Sequence, residues 1–292
     1  MTATGIEGYR AFLARRDGEA DLLNRRLANR EQFFTHIEAN PVRSARPADR
    51  ATFLRNLRRR KPEPGLDDKM LFLLATAKLN QAERFGVGLG ETYGRNSDES
   101  LPPENVYLEL EEHYHTRLLA YALDVFDLTF QVVPPPFVMR QFVKTGVFLP
   151  ERLGFMFVGA AEMAGCILFD ELRRVGSALF ADEPQVAERI ELLYSEILTD
   201  EIGHVGYCAS RCSTAERAIM RRLYPLIGRL FARQTAEISL LVDPKALRAR
   251  LDRPFDVDEL TAGVDNETYL VAHPLTTDST ADPANNVAPS VH

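Results

Sequence analysis

The chain has 292 residues and a formal net charge of −7 at pH 7, and 45% of its residues are hydrophobic. Such a length can bury a substantial core, while the acidic balance disfavours an obligate nucleic-acid binder. No stretch approaches the ~20 uninterrupted apolar residues of a membrane span, and the N-terminus lacks a signal peptide's apolar segment. Three cysteines are too few for a disulfide framework. The composition therefore predicts a cytoplasmic protein with no nucleic-acid partner and no membrane partner.

Helix-forming residues dominate almost the whole chain, so the predicted fold class is all-α. An N-terminal helix is predicted over Gly5–Glu38, and a second one, bracketed by prolines, over Ala48–Arg60. Further helices are predicted, in order, over Asp67–Gly94, Glu104–Val133, Phe137–Phe148, Glu151–Phe180, Pro184–Ser210 and Thr214–Val242. Together they predict a single all-α domain over residues 1–262 and a disordered C-terminal tail over residues 263–292.

Two of the long predicted helices contain the motif Glu-x-x-His. One carries Glu112 and His115, and the other carries Glu201 and His204. Residues three apart on a helix share a face, so each pair can reach one metal ion. The spacing alone is weak support, because about one acid-x-x-His match is expected by chance in such a chain. Both pairs, however, fall on the apolar stripe of their helix, which predicts that they point into the core.

The other two long helices each place one glutamate among apolar residues. Glu162 has almost only apolar neighbours, and Glu83 continues an apolar stripe. An unpaired carboxylate in such a place costs several kcal/mol, so a compensating charge is expected. Glu162 precedes the turn at 181–182 by about as many residues as Glu201 follows it, so antiparallel neighbours would place the two at one level. The same argument places Glu83 beside Glu112.

Four carboxylates and two imidazoles give a formal charge of −4, which two divalent cations would neutralise. One Glu from each of two helices, with Glu-x-x-His from each of two others, is the ligand pattern of di-iron carboxylate bundles. The motifs Glu-Glu-x-x-His and Asp-Glu-x-x-His resemble those of the ferritin-like di-iron oxygenase superfamily. That superfamily includes acyl-carrier desaturases, bacterial multicomponent monooxygenases, the ribonucleotide reductase small subunit and arylamine N-oxygenases. The resemblance covers residues 67–210, approximately, and implies a four-helix bundle core there with additional helices on either side.

The resemblance also implies roles for individual residues. The implied metal ligands are Glu83, Glu112, His115, Glu162, Glu201 and His204. Of these, Glu112 and Glu201 would bridge two iron ions, or alternatively manganese ions, and no catalytic residue beyond the ligands is implied. Glu111 and Asp200 would accept hydrogen bonds from the far nitrogens of the opposite histidines and fix their orientation.

The implied function is that of a non-haem di-iron oxygenase, which uses O2 to hydroxylate, N-oxygenate or desaturate a small or carrier-bound organic substrate. No flavin or nicotinamide fingerprint occurs in the sequence, so an external electron donor such as a ferredoxin is expected. The alternatives are a ferritin-like iron oxidase and a radical-bearing subunit similar to that of ribonucleotide reductase. Leu119 replaces the radical tyrosine of the latter, and Ile197 replaces an extra histidine of the N-oxygenases. A homodimer is compatible with all of these interpretations.

Several of these residue assignments have an alternative. Glu91 competes with Glu83, Glu171 competes with Glu162, and surface salt bridges would also explain both Glu-x-x-His motifs. The basic run Arg55–Lys61 is either a solvated helix face or a docking surface for an acidic partner such as a ferredoxin or acyl carrier protein. The residues predicted to line a substrate pocket are Leu119, Phe126, Phe155, Val158, Ile197 and Val205.

Overall fold

The computed structural model describes residues 22–94, 103–129, 134–256 and 260. Every regular element within these residues is an α-helix and none is a strand, which confirms the predicted all-α class. The first part of the predicted N-terminal helix and the predicted disordered tail over 263–292 lie outside the described residues.

The described helices account for most of the predicted ones. They are α1 (Leu22–Ala39), α2 (Arg50–Leu57), α3 (Asp68–Gly94), α4 (Pro103–Asp124), α5 (Phe137–Phe148), α6 (Glu151–Leu179), α7 (Pro184–Ser210), α8 (Thr214–Gln234), α9 (Ile238–Leu241) and α10 (Pro244–Leu251). The four longest central helices pack as two pairs, α3 with α4 and α6 with α7, and contacts between α4 and α7 join the pairs into a bundle. α1 packs on α4, α5 on α3 and α6, and α8 on α6.

Local sequence explains how the bundle helices start and turn. Pro184 occupies the first turn of α7, where its missing amide proton is not needed, and a short turn after Phe180 connects α6 to α7. α8 begins with a capping box, in which Ser213 and Glu216 each accept a hydrogen bond from the other's backbone amide. The short turn between α6 and α7 fixes the relative level of residues on these two helices, as the sequence argument for Glu162 and Glu201 requires.

The predicted helix Glu104–Val133 ends earlier than expected, at Asp124. The backbone leaves the helix through a turn in which Asp127 has a left-handed φ of 59°. The carbonyls of Val125 and Phe126 accept hydrogen bonds from the amides of Ser44 and Ala48, at 2.8 and 3.2 Å. The segment between α1 and α2 therefore takes up backbone groups that a longer helix would have used internally.

The predicted helix Thr214–Val242 is also divided, because α8 ends at Gln234 and α9 is a separate short element. The break turns Glu237 into the interior, where it is fully buried and accepts a hydrogen bond from Lys78 on α3 at 2.5 Å. α10, which follows, was not predicted.

Within the described residues, only α6 is long and apolar enough to cross a membrane by length and composition. Of its most apolar 18-residue window, 61% is buried inside the protein. α6 packs against α7 on one side and α8 on another, so its apolar character is that of the central helix of a bundle.

Candidate metal centre

The predicted metal ligands converge inside the bundle. Their candidate ligand atoms form two overlapping groups, and within each group all atoms lie within 4.8 Å of one another. The first group is Glu83, Glu112, His115 and Glu201, and the second is Glu112, Glu162, Glu201 and His204. Glu112 and Glu201 belong to both groups, and all four long helices contribute. The bundle therefore contains a buried carboxylate and histidine cluster that could hold a metal ion.

Both histidines direct their Nδ1 atoms toward the carboxylates. His115 Nδ1 lies 3.3 Å from Glu201 Oε1, and His204 Nδ1 lies 3.1 Å from Glu112 Oε1. Despite these distances, neither Nδ1 atom is hydrogen-bonded within the described residues, and neither is Glu201 Oε2. Buried polar atoms almost always have a partner, and a metal ion bound among these three atoms would supply one.

The far nitrogens of both rings meet acids from the opposite helix. His204 Nε2, on α7, is hydrogen-bonded at 3.1 Å to Glu111 Oε2 on α4. His115 Nε2, on α4, lies 3.5 Å from Asp200 Oδ2 on α7. Both acids are fully buried. The predicted hydrogen bond is present for His204, whereas His115 Nε2 faces Asp200 and has no hydrogen bond within the described residues. For His204 this contact favours the tautomer that keeps the Nδ1 lone pair available to a metal ion.

The protein groups of the cluster conflict electrostatically with one another. Burial, followed by the charges of Glu112 and Glu201, raises the pKa of Glu83 well above its ordinary value. Burial and the charge of Glu201 raise the pKa of Glu162 in the same way. Burial lowers the pKa of His115, but its carboxylate neighbours outweigh this effect and raise it to about 10. The cluster by itself therefore favours bound protons, which divalent cations would displace.

A cavity of about 330 Å³ reaches the cluster from one side. The four glutamates of the cluster line this cavity, whereas the two histidines are buried and do not. The rest of the wall is mainly apolar and comes from α3, α5, α6 and α8, with Leu79, Met139, Phe142, Val143, Phe157 and Phe231 among its residues. The cluster thus has an open carboxylate edge beside an apolar cavity and a histidine side that is closed by the bundle.

The predicted pocket lining is wrong for five of its six residues. Val158 lines the cavity, whereas Leu119, Phe126, Ile197 and Val205 are fully buried in the core and Phe155 packs on Tyr207. The prediction followed the helix stripes of the ligands, and these stripes form the core of the bundle. The apolar wall of the cavity comes instead mainly from α3, α5, α6 and α8. The apolar residues of α5 were the signal that could have indicated this wall.

One charged side chain on the cavity wall is neutralised by the protein. Lys78 is buried, and its Nζ atom donates hydrogen bonds to the Arg59 carbonyl at 2.8 Å and to Glu237 at 2.5 Å. Neither of these partners lines the cavity, so the lysine contributes its aliphatic part to the wall and directs its charge elsewhere. His113, next to Glu112 on α4, also lines the cavity.

The structure decides between most of the remaining alternatives. Glu171 accepts a hydrogen bond from Arg250 at 2.6 Å and is not part of the cluster, while the side chain of Glu91 lies outside the described residues. Surface salt bridging fails as an explanation of the motifs, because His115 and His204 are buried. Within the run Arg55–Lys61, the residues that follow the end of α2 are exposed, as expected for a solvated surface.

A scan against protein-family models, a search of curated proteins and a search of solved structures found no match to this chain.

Proposed function

We propose that this protein is a non-haem di-iron oxygenase of the ferritin-like type. It would use O2 to hydroxylate, N-oxygenate or desaturate a small or carrier-bound organic substrate. The observation that carries the proposal is the pair of overlapping ligand groups that share Glu112 and Glu201, with an open edge on an apolar cavity.

In this proposal each metal ion would be held by one glutamate of its own group, one histidine and the two shared glutamates. The first ion would be held by Glu83 and His115, and the second by Glu162 and His204. Carboxylate oxygens and imidazole nitrogens suit several first-row metals, so the choice of iron follows from the resemblance, and manganese is the alternative. Iron bound here would supply the capacity to reduce O2, which no protein side chain offers.

The chain's own residues would bind the substrate and exclude water. The apolar wall formed by Met139, Phe142 and Phe157 favours an apolar substrate group. Because the glutamates and not the histidines face the cavity, a substrate there would lie beside Glu83 and Glu162. Glu111 and Asp200, the acids beside the far nitrogens of the two histidines, would keep both imidazoles in a fixed orientation during turnover.

The apolar cavity supports this proposal over the alternative of an iron-handling function. An iron oxidase needs a polar path for hydrated ions, whereas this cavity is bounded mainly by aliphatic and aromatic side chains. We further propose a cytoplasmic protein that receives electrons from an external donor such as a ferredoxin. The exposed basic residues of Arg55–Lys61 are a candidate contact surface for such an acidic donor.

The proposal is tested by metal content and reaction with O2. Protein from iron-supplemented cells should contain about two irons per chain, and its reduced form should give a transient visible absorption band when mixed with O2 in a stopped-flow spectrometer. Glu162→Gln should lower the iron content, whereas the matched variant Glu171→Gln on the same helix should retain it. Equal iron content in both variants, or no metal in the wild type, would overturn the proposal. Iron accumulation or a tyrosyl radical signal would favour the alternative functions.

A further inference from the structure

We propose that Arg30, on the N-terminal helix α1, is a positioning residue of the metal centre. It would hold Asp200 so that His115 presents its Nδ1 atom to the metal. This inference rests on the proposed function in so far as the cluster binds metal. It adds a residue from outside the four central helices, on a helix that the resemblance does not cover.

Arg30 is a buried cation. Only 1% of its surface is exposed, and it is one of the largest fully buried side chains among the described residues. Its guanidinium donates to Asp200 Oδ2 and to Glu196 Oε2, both at 2.7 Å, and lies 5.3 Å from the centre of the Tyr114 ring. Burial of a guanidinium is costly unless it is paired and hydrogen-bonded, so its position is specified by these partners.

The contact continues from Asp200 to the cluster. Oδ2 of Asp200, which accepts the hydrogen bond from Arg30, is also the atom that lies 3.5 Å from His115 Nε2. One oxygen thus receives a donor from α1 and faces the imidazole of a metal ligand. Because Arg30 fixes the rotation of this carboxylate, it also limits the orientations available to the His115 ring.

The effect of Arg30 should fall on one half of the cluster. Its ion pairs are with Glu196 and Asp200, both on α7, and the carboxylate of Asp200 faces Nε2 of His115. His204, in the second ligand group, is oriented by Glu111 instead. We therefore expect loss of Arg30 to weaken one of two metal ions more than the other.

Arg117 provides a matched control for the structural role of α1. It lies on α4 and contacts the same helix through Glu31, Glu38 and the face of the Phe34 ring, which is 3.8 Å away. Both arginines anchor α1 to the bundle, but the ion pairs of Arg117 are with α1 and do not include Asp200. If Arg30 only fastened the helix, the two substitutions would act alike on the metal centre.

The experiment is a titration of the full chain with Co(II), whose visible spectrum reports ligand geometry, in competition with a chelator. The wild type should bind about two ions per chain. Arg30→Gln should bind one of them about tenfold more weakly and change the visible spectrum, with the second ion unaffected. Arg117→Gln should bind both ions with wild-type affinity and an unchanged spectrum. Arg30→Lys keeps a charge but cannot bridge two carboxylates, so it should show a smaller change of the same kind and serves if Arg30→Gln does not fold.

Three results would overturn the inference. If the wild type binds two ions and the Arg30 variants bind them equally well, Arg30 is not a positioning residue, and the proposed function still stands. Equal weakening in the Arg30 and Arg117 variants would assign Arg30 to helix anchoring alone. Wild-type protein that binds no ion would contradict the proposed function and this inference together.

Discussion

Two buried groups of charged side chains lie along α6 and α7, and they differ in how their charges are balanced. Asp170, two turns beyond Glu162 on α6, is fully buried and pairs with Arg173 at 2.8 Å, Arg174 at 2.9 Å and Arg250 at 2.5 Å. The cluster around Glu162 contains four carboxylates, and within the described residues no lysine or arginine forms an ion pair with any of them. The chain supplies cations to the first group and leaves the second with an excess of acids.

The comparison of these two groups shows that buried acids alone do not indicate a metal site. Asp170 is as deeply buried as any residue of the cluster. Arginines pair with its carboxylate and neutralise its charge, so no metal ion is needed there. In the Glu162 cluster, three buried ligand atoms have no hydrogen bond within the described residues and the pKa values of two glutamates are raised. The balance of charge, rather than burial, separates a structural ion-pair group from a candidate metal centre.

The largest expected effect concerns the stability of the arginine-balanced group. Asp170→Asn would remove the carboxylate that Arg173 and Arg250 share, so each buried guanidinium would keep one acidic partner instead of two. The substitution should lower the free energy of unfolding by about 3–5 kcal/mol. Chemical denaturation monitored by circular dichroism measures this loss. Metal content of the folded variant should equal that of the wild type. A loss below about 1 kcal/mol would show that the arginines are not compensated by Asp170.

A substitution in the acid-rich cluster should have the opposite pattern. Glu201→Gln removes an acid shared by both ligand groups, so affinity for added Fe(II) or Co(II) should fall by more than about 100-fold, which corresponds to about 2.7 kcal/mol. The metal-free variant should be as stable as the wild type or more stable, because one of several repelling carboxylates is gone. Glu191 lies on the same helix and pairs with Arg173 in the arginine-balanced group, so Glu191→Gln is the control and should bind metal normally. Unchanged metal affinity in Glu201→Gln would show that the acid-rich cluster is not a metal site.

A smaller effect is expected from two glycines of α6 that lie near the two groups. A Cβ atom on Gly176 would lie 2.7 Å from Ile190, so Gly176→Ala should destabilise the protein by about 1–3 kcal/mol. A Cβ atom on Gly165 would lie 3.7 Å from Glu201 Oε2, in ordinary contact, so Gly165→Ala should leave stability unchanged or raise it by up to about 1 kcal/mol. Thermal unfolding of both variants measures the difference, and equal losses would show that packing beside the cluster is as tight as elsewhere.

The sequence predicted the cluster better than its surroundings. Glu112, His115, Glu201 and His204 could be found because a charged residue on an apolar helix stripe is a local signal that spacing along one helix reveals. Arg30 could not, since an arginine on a helix rich in arginines is typical of a solvated surface, and its burial depends on how α1 docks. The cavity wall was missed for a related reason, because it is set by the path of α5 across two other helices.

Helix ends were predicted least well where another part of the chain competes for backbone groups. The end of α4 at Asp124 depends on hydrogen bonds from Ser44 and Ala48, which are far away in the sequence. The break between α8 and α9 depends on the burial of Glu237 beside Lys78. Propensity within a window of sequence contains no information about such partners.

The position of the cavity has a consequence for the kinetics of metal loading and removal. Because the glutamates line the cavity and the histidines are closed off behind them, an ion that enters by this route contacts oxygen ligands before nitrogen ligands. A chelator larger than the cavity cannot follow the ion inside, and it captures only those ions that have already left. The rate of metal loss would then be independent of the concentration of a bulky chelator and would rise with the concentration of a small one.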